Sequence, residues 1–521
     1  MSYAGAAYQI PCATGGSNYS PNLDGLPPES MVSPSKNLNL HTGGRTKRGG
    51  TAHAVATAIT GTPQILAGYD FRLESGTRKI MAFGDDGALY SDAAAGTSIK
   101  TGLATSGHPT FETFRNELFV TDGVTTPQTW NGAAASTSNI TTPAADWGVG
   151  NQPKYCLAHG KGASRRMWFF GLTTTPKRAY YSKLDDGKDL TGTGSGQLNI
   201  ETSDGFGIVG GVEFGERLML MGKRKTYIVD DSNSDIANWG YLAAQWEGGV
   251  AHHKLIVKTP NDVICMQEDG EIYSVTAVQS YGDYKAASIS RPAFIHAYIK
   301  ENINIALIEQ FHAVYDRNLR AIKFFVVRNG MAVIDTALVF FIDRPADQAW
   351  QVHDNIEEDS GYSASCSFEV RDSAGIYTIY TGDYEGWLWK TEQTAKNDNA
   401  LGYTCQMRTP PEAFDNSRVL KKFRRGKIVY AAPGNYSINV RWWVDNVEQT
   451  PRVVSLANTG SVYDGSVYDT AIYAQEAVAE ADFELGTIGK RIQIQLENSV
   501  PDEDFFISRI LIDNEVLGAR A

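Results

Sequence analysis

The residues in this chain that could do chemistry fall in a few short stretches. Gly205-Phe-Gly-Ile-Val-Gly210 spells the dinucleotide fingerprint, in which glycines let the backbone approach a pyrophosphate, but that use needs a strand before the motif and a helix after it. Val212 to Met221 reads as strand, so the glycines are expected to serve close packing. Asp231, Asn233 and Asp235 begin like a calcium loop but lack its Gly and closing Glu, which leaves a solvated turn. Arg45, Lys47 and Arg48 lie between two Gly-Gly pairs and could touch phosphate; without a P-loop's Gly-Lys-Ser/Thr ending, a solvated turn is the plainer reading. There is no Gly-x-Ser-x-Gly elbow and no His-Glu-x-x-His helix. The nine histidines do not fall at ligand spacing. His252 and His253 are adjacent, and on a strand they would face opposite ways. Asp and Glu are plentiful, but no pair stands out as acid and base. The expectation is a chain that is not an enzyme, with no catalytic residues, no cofactor and no metal.

The sharpest local charge is the run Lys421-Lys-Phe-Arg-Arg-Gly-Lys427 in a chain whose formal net charge is -12. It could meet a partner's acidic face or phosphates, or be an edge strand guarded by Lys and Arg. Lys421, Lys422, Arg424 and Arg425 are therefore interface candidates. Tyr463 and Tyr468 are two more, because the doublet Ser461-Val-Tyr-Asp-Gly-Ser-Val-Tyr-Asp469 reads as a polar, aromatic loop. The acidic balance argues against a protein that wraps nucleic acid with a basic surface.

The elements that must position these residues are strands. From Gln64 to Gly132 two units repeat one rhythm: short β-rich runs broken by Asp-Asp-Gly, Asp-Gly and Asn-Gly turns, the signal of antiparallel hairpins. Comparable units begin near Tyr155, Val212, His253, Phe311 and Tyr362, and Glu268-Asp-Gly-Glu-Ile-Tyr273 nearly copies Asp85-Asp-Gly-Ala-Leu-Tyr90. A recurrence of roughly 40 to 55 residues predicts propeller blades. The fold class is thus all-β: a β-propeller of six or seven blades with an additional β-sandwich-like C-terminal domain. Residues 1–60 are expected as an extended N-terminal arm and first strand, 61–408 as the propeller, and 409–521 as a C-terminal β domain serving as platform or interface. Four strands are predicted in that domain: 428–431, 436–444, 491–496 and 505–512. One helix is expected from Ser290 to Lys300, capped by Ser290, as an inter-blade insertion. The 42% hydrophobic content supplies ample core. The five scattered cysteines suit free thiols in a reducing compartment. No signal peptide is read at the N-terminus, and strictly apolar runs stop far short of the roughly 20 residues that span a bilayer, so a soluble chain without membrane insertion is expected.

Taken together, Asn37-Leu-Asn-Leu with the Gly-Gly-Arg-Thr-Lys-Arg-Gly-Gly turn, the Phe111-x-x-Phe-x-x-x-Leu-Phe-Val-Thr-Asp-Gly unit ending in Thr-Trp-Asn-Gly132, and Lys-Lys-Phe-Arg-Arg near the end resemble the tail nozzle (tail tube) proteins of short-tailed bacteriophages. The likeness runs from about residue 36 to the end and lies in the order of the motifs. It implies a propeller subunit of a homohexameric ring below the portal and head-tail adaptor. Such a ring conducts and retains viral DNA without sequence recognition and carries tail fibres or spikes. It implies location in the virion tail after synthesis in the host bacterial cytoplasm, and it supplies no catalytic residues. The other reading is a glycan-binding or glycan-cleaving propeller that meets a receptor; the Ser-x-Asp-x-Gly-x-x-Trp turns of the sialidase type do not occur.

Overall fold

The computed structural model describes residues 6–12, 14–41, 43–92, 97–160, 165–202, 205–278, 283–354, 364–414, 416–431, 434–456 and 479–518. Among them the hairpin rhythm becomes seven four-stranded antiparallel sheets. The first strands of these sheets are Ile65–Arg72, Thr110–Phe114, Tyr155–His159, Gly210–Phe214, Ile256–Lys258, His312–Asp316 and Cys366–Arg371. Each packs on the next, and the seventh packs on the first, so the sheets close as a seven-bladed propeller with these strands innermost. The repeated turns sit where the sequence puts them: Gly87 and Gly270 hold positive φ in the Asp-Gly turns of blades 1 and 5, which glycine adopts without strain.

The seventh blade is made from both ends of the propeller segment. Its strands Cys366–Arg371, Tyr377–Gly382 and Leu388–Gln393 are joined by Gly50–His53 as the outermost strand. His53 stacks on Trp387 at 3.9 Å and lies 4.0 Å from the Trp389 ring, fastening the seam. Within residues 1–60, expected as an extended arm and first strand, Ala6–Pro11, Leu38–His41, Gly44–Lys47 and Gly50–His53 are all strands. Leu38–His41 pairs locally with Gly44–Lys47, whereas Ala6–Pro11 and Gly50–His53 pair with strands hundreds of residues away.

Beside the propeller two sheets face one another. One takes Ala6–Pro11, Leu38–His41 and Gly44–Lys47 together with Leu420–Ala431, Ala479–Gly489 and Phe506–Gly518; the other takes Cys405–Arg408, Tyr436–Val444, Val447–Glu448, Arg452–Leu456 and Ile492–Asn498. Phe423, Ile428, Ile510 and Ile512 of the first sheet and Val440, Trp442, Ile494 and Leu496 of the second share one buried core, and that core continues into blades 4 to 6. This platform leans on the rim of blades 6 and 7. The Asn37 amide donates to Val352 O (2.9 Å), His353 Nε2 donates to Leu38 O (3.0 Å), and Asn39 Nδ2 donates to Glu392 (2.9 Å).

The helix is Ile295–Asn302, five residues later than expected at its start. Ser290 does not cap it, because the Ser290 hydroxyl accepts from the Ile272 amide of blade 5 (3.2 Å). The chain instead enters the helix through Phe294 at φ 57, and Ile295 and Ile299 form the buried side. Phe294 itself is partly exposed. Among the described residues no helix is long and apolar enough to cross a membrane. All five cysteines are free and buried.

Candidate functional site

Seven inner strands bring seven loop ends to the propeller axis, and there the histidines that looked unrelated in sequence converge. A cavity of about 830 Å³ opens at one mouth of the axis, lined by His108, Lys154, Tyr155, Lys254, Glu309 and Tyr384 among others. Below it, among the inner strands, lies a smaller space of about 240 Å³ walled by Tyr69, Phe111, His253, Ile256 and His312, and Lys254 borders both. His108 stacks face to face on His252 at 4.2 Å and reaches Glu309 at 3.3 Å. His252 Nε2 donates to Ile308 O (2.9 Å). His312 Nε2 donates to Ala364 O (3.1 Å), which leaves Nδ1 to accept from the Ser367 hydroxyl (2.7 Å).

The electrostatics follow from burial. Desolvation, reinforced by the Lys254 ammonium, pushes His108 down to about 3 and His253 to about 4; burial likewise brings His312 to about 3. These rings are neutral at pH 7. Lys254 donates to the Leu66 carbonyl, and burial lowers it to about 8. The axis is thus lined by packed, neutral rings and by the ammonium groups of Lys154 and Lys254.

At the other end of the inner strands His159 is held between two carboxylates, with Nδ1 3.0 Å from Glu213 and Nε2 3.0 Å from Asp231. Burial alone would lower its pKa, but hydrogen bonds and charge from Asp231 and Glu213 outweigh it and raise the ring to about 9. Glu112, on the neighbouring inner strand, is raised by burial to about 7.

The sequence-predicted residues are distributed differently from expectation. Lys421 to Lys427 do not lie on an edge strand: Leu420–Ala431 runs between Ala479–Gly489 and Phe506–Gly518. Lys421 is 1% exposed and donates to Asn416 O (2.6 Å) inside the platform, so it is corrected from contact residue to interior residue. Lys422, Arg424 and Arg425 face solvent. Arg424 pairs with Glu515, Arg425 lies 3.5 Å from Glu484, and Lys427 bonds Glu480 at 2.5 Å, so the outer sheet face is a ladder of cross-strand ion pairs. A bulge at Arg424 puts both arginines outside. Tyr463 and Tyr468 lie outside the described residues.

Arg45, Lys47 and Arg48 are neither phosphate ligands nor a solvated turn; all three are buried. Arg45 donates to the carbonyls of Thr14 and Gly15 (2.9 Å each), Lys47 to Val500 O (2.7 Å), and Arg48 makes a two-pronged pair with Asp398 at 3.0 and 2.5 Å. His252 and His253 do point to different neighbours, but from a 3-10 turn, His253–Leu255, and not from a strand. Gly210 precedes no helix; it starts an inner strand, and a Cβ there would sit 2.5 Å from Ile256. Asp235 accepts from the Ala237 amide (3.0 Å) in a local turn. Among the described residues no three His, Cys, Asp or Glu side chains are grouped to hold a metal ion. The axial grouping was missed because its members come from three separate blade entries; the available signal was position, since His312 begins an inner strand and His108, His252 and Lys254 lie just before one.

No family model matches the chain, and no curated protein matches it. Among solved structures it is similar to BBS1N in complex with ARL6DN, soaked with mercury, at 10% identity over 67% of this chain and 98% of that one, with a TM-score of 0.41. It is also similar to the RRP9 WD40 repeats at 8% identity, 66% and 99% coverage and a TM-score of 0.41. YCF48 from Cyanidioschyzon merolae follows at 10% identity, 66% and 98% coverage and a TM-score of 0.38. These likenesses concern the propeller architecture.

Proposed function

We propose that this chain is a structural subunit of a phage tail, one of six copies in a nozzle ring below the portal and adaptor. In that role it does no covalent chemistry. Viral DNA is conducted and held in a bore between copies, and the outer surface takes fibres or spikes. The observation that carries the reading is a platform packed against one flank of the propeller. The rings of His108, His252 and His312 crowd the propeller's own axis, so a duplex would have to pass between copies, while the platform sits against blades 6 and 7 with a charged outer face. A ring joined head to tail needs two different lateral surfaces on each subunit, and a propeller flank opposite a platform supplies two. The resemblance in the order of the strand and turn motifs gives the number six. The test is native mass and ring-averaged imaging of the assembled protein, in which six copies around a hole wide enough for a duplex are expected. A monomer in the assembled particle overturns the proposal.

A further inference from the structure

On the same face as the axial mouth, a second and separate cleft of about 760 Å³ opens between blades 4 and 5. Its size is that of a small-ligand site, but its walls are mostly polar, unlike the apolar pockets that take hydrocarbon-rich molecules. The hairpin loop of blade 4 supplies Lys223 to Lys225, the inter-blade link supplies Trp246 to Gly248, and the hairpin of blade 5 supplies Gln267 to Glu271.

The cleft is held open by close backbone contacts. A Cβ on Gly249 would lie 2.2 Å from Gly222 O, so only glycine lets the link cross the blade 4 loop there. Tyr273 donates to Gly249 O (2.7 Å) and Thr226 to Gly248 O (2.9 Å), fixing the link from both blades. Around Gly248 the Trp246 ring, the Tyr273 ring and the Gln267 amide converge, all within 3.4 Å of where a Cβ would stand. Charged groups on the rim are fixed in pairs: Arg224 with Glu268 at 3.0 Å, and Arg291 with both oxygens of Glu271 at 2.7 Å. Arg224 also lies over the exposed Phe206 ring at 5.4 Å.

We infer that this cleft binds a neutral oligosaccharide, a role that goes beyond the conduit and does not depend on it. The lining sets Lys223, Arg224 and Lys225 against Glu247, Glu268, Asp269 and Glu271, with Arg291 paired to Glu271 from outside it, so no excess of positive charge selects a phosphate or a polycarboxylate. Paired carboxylates and guanidinium groups present oriented acceptors and donors side by side, the pattern that vicinal hydroxyls satisfy. The half-buried Trp246 ring lines the cleft, and an indole face fits the C–H face of a sugar ring. Ala286 to Ser288 on the outer strand of blade 5 line one side, so the competing occupant is an extended peptide added to that strand edge.

The test is calorimetric titration of the full chain with maltohexaose, cellohexaose and chitohexaose, and with a Thr-Val repeat hexapeptide. Saturable binding of at least one sugar is expected, weakened more than tenfold by Trp246→Ala and by Glu247→Gln. Glu247 is exposed, so the second variant keeps the test decisive if the first does not fold. Three results overturn the inference: no sugar bound, sugar bound equally by a folded Trp246→Ala and by Glu247→Gln, or the peptide bound in place of every sugar. Oligomer mass measured on the same samples reports separately on the ring, so failure of one reading leaves the other standing.

Discussion

His159 is the residue whose surroundings decide a measurable property. Its folded pKa of about 9 stands above the ordinary histidine value near 6.5. The folded state therefore holds the proton more tightly than the unfolded chain does. The contribution to stability is fully present below about pH 6.5 and is lost as pH rises through 9; its size is at most about 3 kcal/mol. Glu112, raised to about 7, works in the same direction in a lower window, from its ordinary value near 4.5 up to 7. Thermal midpoints of the wild type and of His159→Gln should thus differ most near pH 6 and converge by about pH 9.5. Equal pH profiles would show that Asp231 and Glu213 do not hold an imidazolium. A second residue-scale expectation concerns Arg48 and Asp398, 3% and 1% exposed at their side chains. Asp398 also accepts from Thr51 (3.1 Å), and the Arg48 guanidinium sits 3.8 Å from the Tyr403 ring centroid. Asp398→Asn leaves a buried guanidinium beside a neutral amide and should cost about 3–5 kcal/mol. Lys422→Ala on the exposed face should change stability by less than about 0.5 kcal/mol. Paired melting curves compare them, and similar midpoints would mean that the buried pair contributes nothing special.

Elements were legible where their own residues carried the pattern. The turn Asp85 to Tyr90 and its near copy at Glu268 to Tyr273 predicted hairpins because Asp-Gly chemistry is local, and both are hairpins that join the second and third strands of blades 1 and 5. The closing strand Gly50–His53 was invisible, since Gly-Thr-Ala-His has no period and its partners Trp389 and Lys390 lie far along the chain. The interior place of Leu420–Ala431 was also illegible: Lys421 shares the inward side with Phe423, and the bulge at Arg424 then breaks strict alternation so that Arg424 and Arg425 both stay outside. Convergence of four histidines at the axis depends on ring closure, which no single blade encodes. Two predictions belong at this scale. A Cβ at position 50 would stand 1.8 Å from Asn397 O, so Gly50→Ala must push the closing strand off blade 7; it should lower the thermal midpoint and expose the first 60 residues to limited proteolysis. Uncut protein with an unchanged midpoint would disprove the closure role. On the outer face, Lys422, Arg424 and Arg425 changed together to Glu convert a mixed ladder into an acidic one. Surface pairs contribute at most about 1 kcal/mol each, so the chain should fold; under the proposed nozzle role, in which rim charges steer assembly, attachment to DNA-filled heads should fail. Lys421→Glu, by contrast, should destabilise the platform itself because that side chain is interior. Normal attachment of the triple variant would discard this face as a contact.

At the scale of the whole molecule the proposed conduit role raises the question of how an acidic subunit would handle DNA. The 59 acidic side chains outnumber the 47 basic ones. Many of the basic ones are already engaged, either buried as Arg45, Lys47 and Lys323 are or paired on the surface as Arg317 is with Glu369 and Arg320 with Asp343. Tight DNA binding depends on free Lys and Arg releasing condensed counterions, which makes affinity fall steeply with salt. A wall that lacks such groups gives a sliding duplex no sites at which to stop. Repulsion from the acidic excess reaches only about 8 Å at physiological ionic strength, so it acts where the bore is narrow and leaves the rest of the path indifferent. The assembled ring is therefore expected to bind duplex DNA with a dissociation constant above about 10⁻⁴ M at 0.15 M salt, weaker than ordinary non-specific binders. Its salt dependence should be shallow. Fluorescence anisotropy of a labelled duplex against the assembled protein, from 50 to about 200 mM salt, measures both. Micromolar binding that collapses across that range would mean that a basic surface lines the DNA path, and the conduit proposed here would have to be abandoned.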